Sequence, residues 1–433
     1  MSESVQAAVR PHECVDTYYS TKENSEVQCL PATVENRFVQ ALTSLQSGAT
    51  STLTFNPDGG LSDIILSAVL PVPETPYGPA GQGLGLTRGW LYQLVASINV
   101  RYAGSQQYQF AGEQELIQIL NECEDSVKKD QMLEQGGAEI KSPADWAQEN
   151  LRSASIYIKL PHNSPSAQEK PLPFPTDSIS GPVQIQIQFK PFSQVFLAND
   201  ISGQAVGSAA ATIPKAFASA QVQYKQVHLN DRADSAAVNH DLSKEALSIP
   251  LRNFMQNQFT ATLPSQATPL YQVNLTGFRS GSVQGLVVFF APSANLVDAG
   301  NKQPILYGAP KALTLSVNGL VYYRSDNYSD QMWSLCERKT AAMFSTTQLT
   351  WDASNNVYNP GSGAAAYWTV IPFAQVNEVL AGEYKLMNGL GIGNSIVNLT
   401  IDTGLPDTPC QLFCYALYNA TLMATAGSCD YVF

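Results

Sequence analysis

The chain carries the same signals twice, in one order, at an offset of about half its length. Asp63 to Pro71 reads Asp-Ile-Ile-Leu-Ser-Ala-Val-Leu-Pro, an apolar run that follows Gly59 and Gly60 and ends in proline. Gln284 to Pro292 reads Gln-Gly-Leu-Val-Val-Phe-Phe-Ala-Pro, follows Gly281, and places its proline 221 residues later. Ala96-Ser-Ile-Asn99 is answered by Leu315-Ser-Val-Asn318 at an offset of 219, and Tyr108 by Tyr328 at 220. The stretch from Glu113 to Leu120 is answered by Asp330 to Leu335. A repeat unit this long is a whole domain and not a solenoid element of about 20–50 residues. The chain therefore reads as two copies of one domain.

The local patterns make that domain a β structure. Ser51-Thr-Leu-Thr-Phe55 alternates and ends in the turn cluster Asn56-Pro-Asp-Gly-Gly60. Residues 63–70 are mostly apolar, as expected of a strand covered on both faces. Residues 71–89 are rich in Pro and Gly and read as a loop, and 91–102 and 106–110 as strands. Leu116, Ile117, Leu120 and Cys123 share one face of an expected helix over 112–124. Residues 125–150 form a charged insert, part helix and part loop. Gly181 to Phe189 alternates strictly, with Val183, Ile185, Ile187 and Phe189 on one face, and is answered by Gly393 to Ile401. Ile156 to Pro161 is answered by Trp368 to Pro372. Ala220 to His228 and Gln411 to Tyr418 close the two copies. Each copy then has seven or eight short strands and one mid-domain helix, the pattern of a sandwich or barrel. Eight strands in two Greek keys make a jelly roll.

The expected fold is all-β: two tandem eight-stranded jelly rolls at 31–232 and 251–433, with short helices in inter-strand insertions. A polar linker spans 233–250. Residues 1–30 are polar without a sustained period, which fits both a free tail and an arm that orders against a neighbouring molecule.

Composition narrows the function. Charged residues are only 14% of the chain against 44% hydrophobic, where about a quarter charged is usual. Extended sheets and protein–protein contact suit that balance better than a freely solvated enzyme. The net charge of −12 and the absence of a basic stripe argue against direct nucleic-acid binding. Lys128-Lys129 is the nearest basic feature and is flanked by acids. The polar start lacks the apolar core of a signal peptide, and no apolar run is long enough to span a bilayer. A soluble compartment is the expectation.

No residue set stands out for catalysis, a cofactor or a metal. His12, His162, His228 and His240 form no His-Glu-x-x-His pattern and no zinc spacing with cysteine. There is no Gly-x-Ser-x-Gly elbow. Gly81-Gln-Gly-Leu-Gly85 resembles a nucleotide loop but leads into strand signals, so it reads as a flexible inter-strand loop. Cys14, Cys29, Cys123, Cys336, Cys410, Cys414 and Cys429 read mainly as reduced thiols, with Cys410 and Cys414 on one side of a strand. A disulfide among the last three, or between Cys14 and Cys29, stays open. A pair of acids for glycoside hydrolysis is not marked by any spacing. The sequons at Asn274, Asn327, Asn398 and Asn419 are about as many as chance gives, and two of them fall inside strands.

The tandem copies, the glycine-led apolar strand at 59–71 and the strand-strand-helix stretch at 91–124 together resemble the double jelly-roll major capsid proteins. That lineage includes adenovirus hexon, membrane-containing phages, virophages and large eukaryotic DNA viruses. The resemblance covers roughly 31–433 and is one of organisation. It implies a non-enzymatic structural protein without cofactor, whose homotrimers are pseudo-hexagonal capsomers tiling an icosahedral shell. It implies neighbouring capsomers, penton and minor capsid proteins as partners, a base facing an internal membrane or genome, synthesis in the host cytoplasm and residence in the virion. The alternative is a tandem jelly-roll carbohydrate-binding protein or glycan-processing hydrolase, expected to be a monomer with an aromatic or acidic cleft.

Overall fold

Among the described residues, sixteen strands fall into two sets of eight that pair in the same order. The computed structural model describes residues 33–55, 60–73, 83–102, 108–122, 126–158, 160, 174–175, 182–199, 213–229, 247–278, 281–293, 310–326, 349–352, 354–355, 357–360, 369–373, 390–393, 395–425 and 428–432. The first set is β1 (Thr33–Ala41), β2 (Thr50–Phe55), β3 (Gly60–Val69), β4 (Val95–Tyr102), β5 (Tyr108–Phe110), β6 (Ser153–Ile158), β7 (Val183–Phe189) and β8 (Ser219–Leu229). The second is β9 (Leu247–Leu263), β10 (Leu270–Leu275), β11 (Ser282–Pro292), β12 (Ala312–Val317), β13 (Leu320–Ser325), β14 (Thr369–Pro372), β15 (Val397–Asp402) and β16 (Cys410–Thr425). A final strand, β17 (Ser428–Val432), pairs back on β16.

In the first half the antiparallel orders are β1-β8-β3-β6 and β2-β7-β4-β5. In the second half they are β9-β16-β11-β14 and β10-β15-β12-β13. Adding eight to each strand of the first half gives the second. This is the jelly-roll order, twice. The all-β expectation therefore holds.

Period-two sequence builds each sandwich. Along β7, Val183, Ile185, Ile187 and Phe189 are buried while Gln184, Gln186 and Gln188 are not. Leu53 sits opposite Ile185 on one side, and Ile98 opposite Ile187 on the other. Ile64, Leu66 and Ala68 of β3 supply the facing layer. In the second half Val397, Leu399 and Ile401 lie opposite Val317, Leu315 and Leu313 along paired strands. Each fully buried side chain of this kind contributes roughly 1.5–3 kcal/mol of transfer free energy. The β12–β13 hairpin turns on Asn318 and Gly319, at φ 51° and 82°. Positive φ at both positions is what a type I′ turn needs, and Asn-Gly meets it at least cost.

Several sequence expectations change. The repeat identifies the correct strands, but its offset of 221 is out of phase. Ile64 and Leu66 face inward on β3, and so do Leu286 and Val288 on β11. An odd offset sets inward residues on outward ones, because a one-residue slip reverses the face of a strand. Asn99, matched to Asn318 in sequence, lies within β4, whereas Asn318 is in a turn. Residues 91–102 do not form one strand: α1 (Trp90–Leu94) precedes β4. All five α1 residues are buried, and an unbroken apolar run hides the helical period. The close approach of Gly137 makes room for it, since a Cβ there would lie 2.4 Å from the Trp90 ring.

The expected helix at 112–124 is α2 (Gly112–Glu122), and α3 (Ser126–Gln135) begins the 125–150 insert. The glycine loop at 81–85 is not a free loop. Gly83–Gly85 pairs with Leu197–Asn199, and Leu86 bridges to Ile140. Trp146 donates its indole N–H to the Leu84 carbonyl at 2.8 Å and stacks with Phe196 at 6.1 Å. Parts of the stretches 71–89, 125–150 and 191–215 therefore pack together on the first roll. Residues 1–30 and most of the expected linker lie outside the described residues. β9 already begins at Leu247.

Candidate assembly surface

β11 is buried along nearly its whole length, and its two faces belong to different cores. Leu286, Val288 and Phe290 enter the core of the second roll. Val287 and Phe289, between them in sequence, enter a cluster continuous with the core of the first roll. β16 alternates likewise: Leu412, Cys414 and Ala416 face inward, while Tyr415 and Leu417 face the first roll. Phe289 stacks on Phe413 at 5.1 Å and on Tyr415 at 6.1 Å. The outer face of β9-β16-β11 is thus an aromatic wall against the first roll.

The first roll meets that wall with β5 and α2. The Met255 carbonyl of β9 accepts from Gln114 Nε2 at 2.6 Å and from Tyr108 Oη at 3.5 Å. Tyr108 also lies against Tyr431 of β17, with ring centroids 6.0 Å apart. Glu113, on the first turn of α2, pairs with Lys190. Negative charge there also suits the helix dipole. Glu115, in the same turn, is buried. Burial, with the Glu115 charge second, holds the Tyr92 and Tyr108 hydroxyls well above their ordinary pKa. Burial also raises Tyr431, followed by the influence of Tyr102, Cys429 and Tyr108. These hydroxyls stay protonated and neutral within a buried contact, and Tyr108 donates to the Met255 carbonyl.

Among the described residues, the outer face of the first roll and the edge of the second carry uncovered apolar side chains. On the outer face of the first roll, Val39, Gln223, Ile65 and Tyr157 form one cross-strand row. Val39 is 61% exposed and Ile65 36%. The expectation that 63–70 is covered on both faces is therefore met only on its inner side within one chain. On the second roll, the edge strand β13 presents Leu320, Val321 and Tyr322, exposed by 66%, 61% and 48%.

Among the described residues, those weighed for chemistry do not converge. His228 lies in β8, and His12, His162 and His240 are outside the described residues. Among the described residues no cluster of three or more His, Cys, Asp or Glu could hold a metal ion, and no helix is long and apolar enough to cross a membrane. Cys410, Cys414 and Cys429 are buried and free, with no disulfide among them. The other four cysteines lie outside the described residues. Asn274, Asn398 and Asn419 lie in β10, β15 and β16, and Asn327 lies outside the described residues. Sequence reasoning did not single out the junction of the rolls. Its signal was present in the unbroken apolar run 286–291.

No protein-family model matches the chain. No curated protein matches it. Solved structures do. The chain is similar to PBCV-1 VP54 as fitted into a cryo-EM reconstruction of the virophage Sputnik, with TM-score 0.60 and 11% identity, covering 94% of this chain and 98% of that one. The Faustovirus major capsid protein matches with TM-score 0.56 and 10% identity, covering 93% and 92%. The structure from the Sputnik virophage at 3.5 Å matches with TM-score 0.52 and 11% identity, covering 96% and 91%. Both rolls and their junction are spanned by matches of this coverage, and the fold of the chain is that of the double jelly-roll major capsid proteins.

Proposed function

We propose that this chain is a viral major capsid protein whose homotrimers are the pseudo-hexagonal capsomers of an icosahedral shell. The observation that carries the reading is the repeated strand order held by a buried internal junction. Two similar wedges fixed side by side in one chain become six when three chains close a ring. The fold shared with the PBCV-1, Faustovirus and Sputnik virophage proteins supports the same role. Low charge suits a chain that buries much surface between copies. We take 31–232 and 251–433 as the two units, 233–250 as their linker with its last four residues drawn into β9, and 1–30 as an arm that contacts neighbours.

In this reading the protein is structural and performs no catalysis. It is synthesised in the host cytoplasm and resides in the virion. Its further partners are adjacent capsomers, penton and minor capsid proteins, and an inner membrane where one is present. The acidic chain does not grip the genome directly. In the first roll, the connections β3–β4, β5–β6 and β7–β8 leave the sandwich from one end, which is the end carrying the packed insertions. We assign that end to the outside of the shell. Light scattering of the purified protein tests the assembly: three chains of 46.8 kDa give about 140 kDa. A monomer at micromolar concentration overturns the capsomer reading.

A further inference from the structure

We propose that the outer face of β1-β8-β3-β6, centred on Val39 and Ile65, docks on the edge strand β13 of a second copy. The contact repeats between chains the junction that each chain already makes within itself. The inference rests on the capsomer reading and assigns the surfaces that such a ring uses.

The argument is one of equivalence. Inside the chain, the outer face of the second roll's β9-β16-β11 covers the first roll at β5 and α2. By strand order, β3 and β8 are the counterparts of β11 and β16, and β13 is the counterpart of β5. Val287 and Phe289 on the outer side of β11 are buried, whereas Ile65 on the outer side of β3 is exposed. Tyr108 and Phe110 of β5 are buried, whereas Leu320, Val321 and Tyr322 of β13 are exposed. The chain thus has one completed junction and, at its two ends, the two unmatched halves of another. Halves of this kind are head-to-tail, and a head-to-tail contact that closes generates a ring.

The exposure of the edge strand supports the same pairing. Three consecutive exposed apolar residues on an edge strand are a liability unless covered. The opposing face of β1-β8-β3-β6 carries Arg37 directly opposite Lys225. The face differs from its counterpart in polarity. Gln221, Gln223, Ser67 and Ser155 stand on it, and Ser67 and Ser155 share a hydrogen bond of 2.8 Å. An interface with that rim is compatible with a chain that folds first and associates afterwards.

The test uses the full chain with two sets of substitutions at exposed positions: V39E together with I65E, and V321E. Each variant alone loses one half of every inter-chain junction. Each should run as a monomer, with the trimer midpoint raised ~30-fold or more, the scale of one interfacial hot spot. Mixed in equal amounts, the two variants retain one intact junction per pair and should give a dimer of about 94 kDa from chains of 46.8 kDa. Trimers that persist in either variant overturn the proposal and leave the capsomer reading standing, as does failure of the mixture to pair. A monomeric wild type overturns both. If a glutamate variant loses its far-ultraviolet circular dichroism, the milder I65S and V321S carry the same readout.

Discussion

Val287 and Val288 are adjacent on one strand and lie in different hydrophobic cores. Val288 pairs with Cys414 inside the second roll, while Val287 faces the first roll beside Phe289 and Tyr415. The two halves of the chain are therefore joined through the alternation of β11 as well as through a linker. Substitutions one residue apart should separate the stability of a roll from the coupling between rolls.

Phe289→Ala should cost roughly 3–5 kcal/mol, the range for deleting a buried aromatic ring, and should split thermal unfolding into two transitions as the halves uncouple. Phe290→Ala, directed into the second core, should lower the stability of that roll with a loss of similar size. Differential scanning calorimetry distinguishes them. A single unchanged transition for Phe289→Ala would show that the junction does not couple the halves.

Gly137→Ala should be more damaging than Gly277→Ala. Both backbones have positive φ, but a Cβ at 137 meets the Trp90 ring at 2.4 Å and one at 277 meets nothing within 4 Å. Gly277→Ala should cost about 1 kcal/mol of backbone strain. Gly137→Ala adds overpacking of typically about 1–3 kcal/mol. Denaturant midpoints compare the pair directly, and equal shifts would contradict the packing argument.

Stability should fall in alkali before it falls elsewhere. Burial pushes the Cys410 thiol from 9.0 up to about 11 and, with Asp430 adding, Cys429 up to about 12. A thiol whose pKa is raised in the fold holds its proton where the unfolded chain has released it, so the unfolded state binds fewer protons. Its contribution is full below about pH 9 and is lost as pH rises through the folded values. Buried Tyr92, Tyr108, Tyr415 and Tyr431 are raised by burial first and act with the same sign at higher pH. Melting temperature should be level from about pH 7 to about 8.5 and decline above about pH 9. In the native protein these buried thiols should resist a disulfide reagent at about pH 8, reacting only on unfolding.

The insertions of the first roll should be reachable on assembled particles. Lys128 and Glu149 are exposed on the packed insert, and limited trypsin and glutamyl endopeptidase digestion should cut there on intact virions. Cleavage in free capsomers together with protection of both sites on particles would reverse the assigned polarity.

The sequence by itself determined the elements whose signals are local. The alternation of Val183, Ile185, Ile187 and Phe189 needs only a solvent side and a core side, and so it marks β7 without any partner. The Asn318-Gly319 turn is set by backbone sterics as well, a local signal that the match of Asn318 to Asn99 passed over. The duplication was also legible, because two copies of one fold must place similar apolar runs at similar points. The tertiary structure decided the phase of that repeat, since pairing and bulges set which residue of β3 corresponds to which of β11. It decided that Trp90–Leu94 is a helix, because the space left by Gly137 exists only once distant segments meet. It also decided which face of each apolar strand is covered. Ile65 and Val287 are both apolar strand residues, and only the position of the other roll leaves one exposed and buries the other. Burial of a second face is a property of what packs against it, and that surface comes from residues far away in the chain.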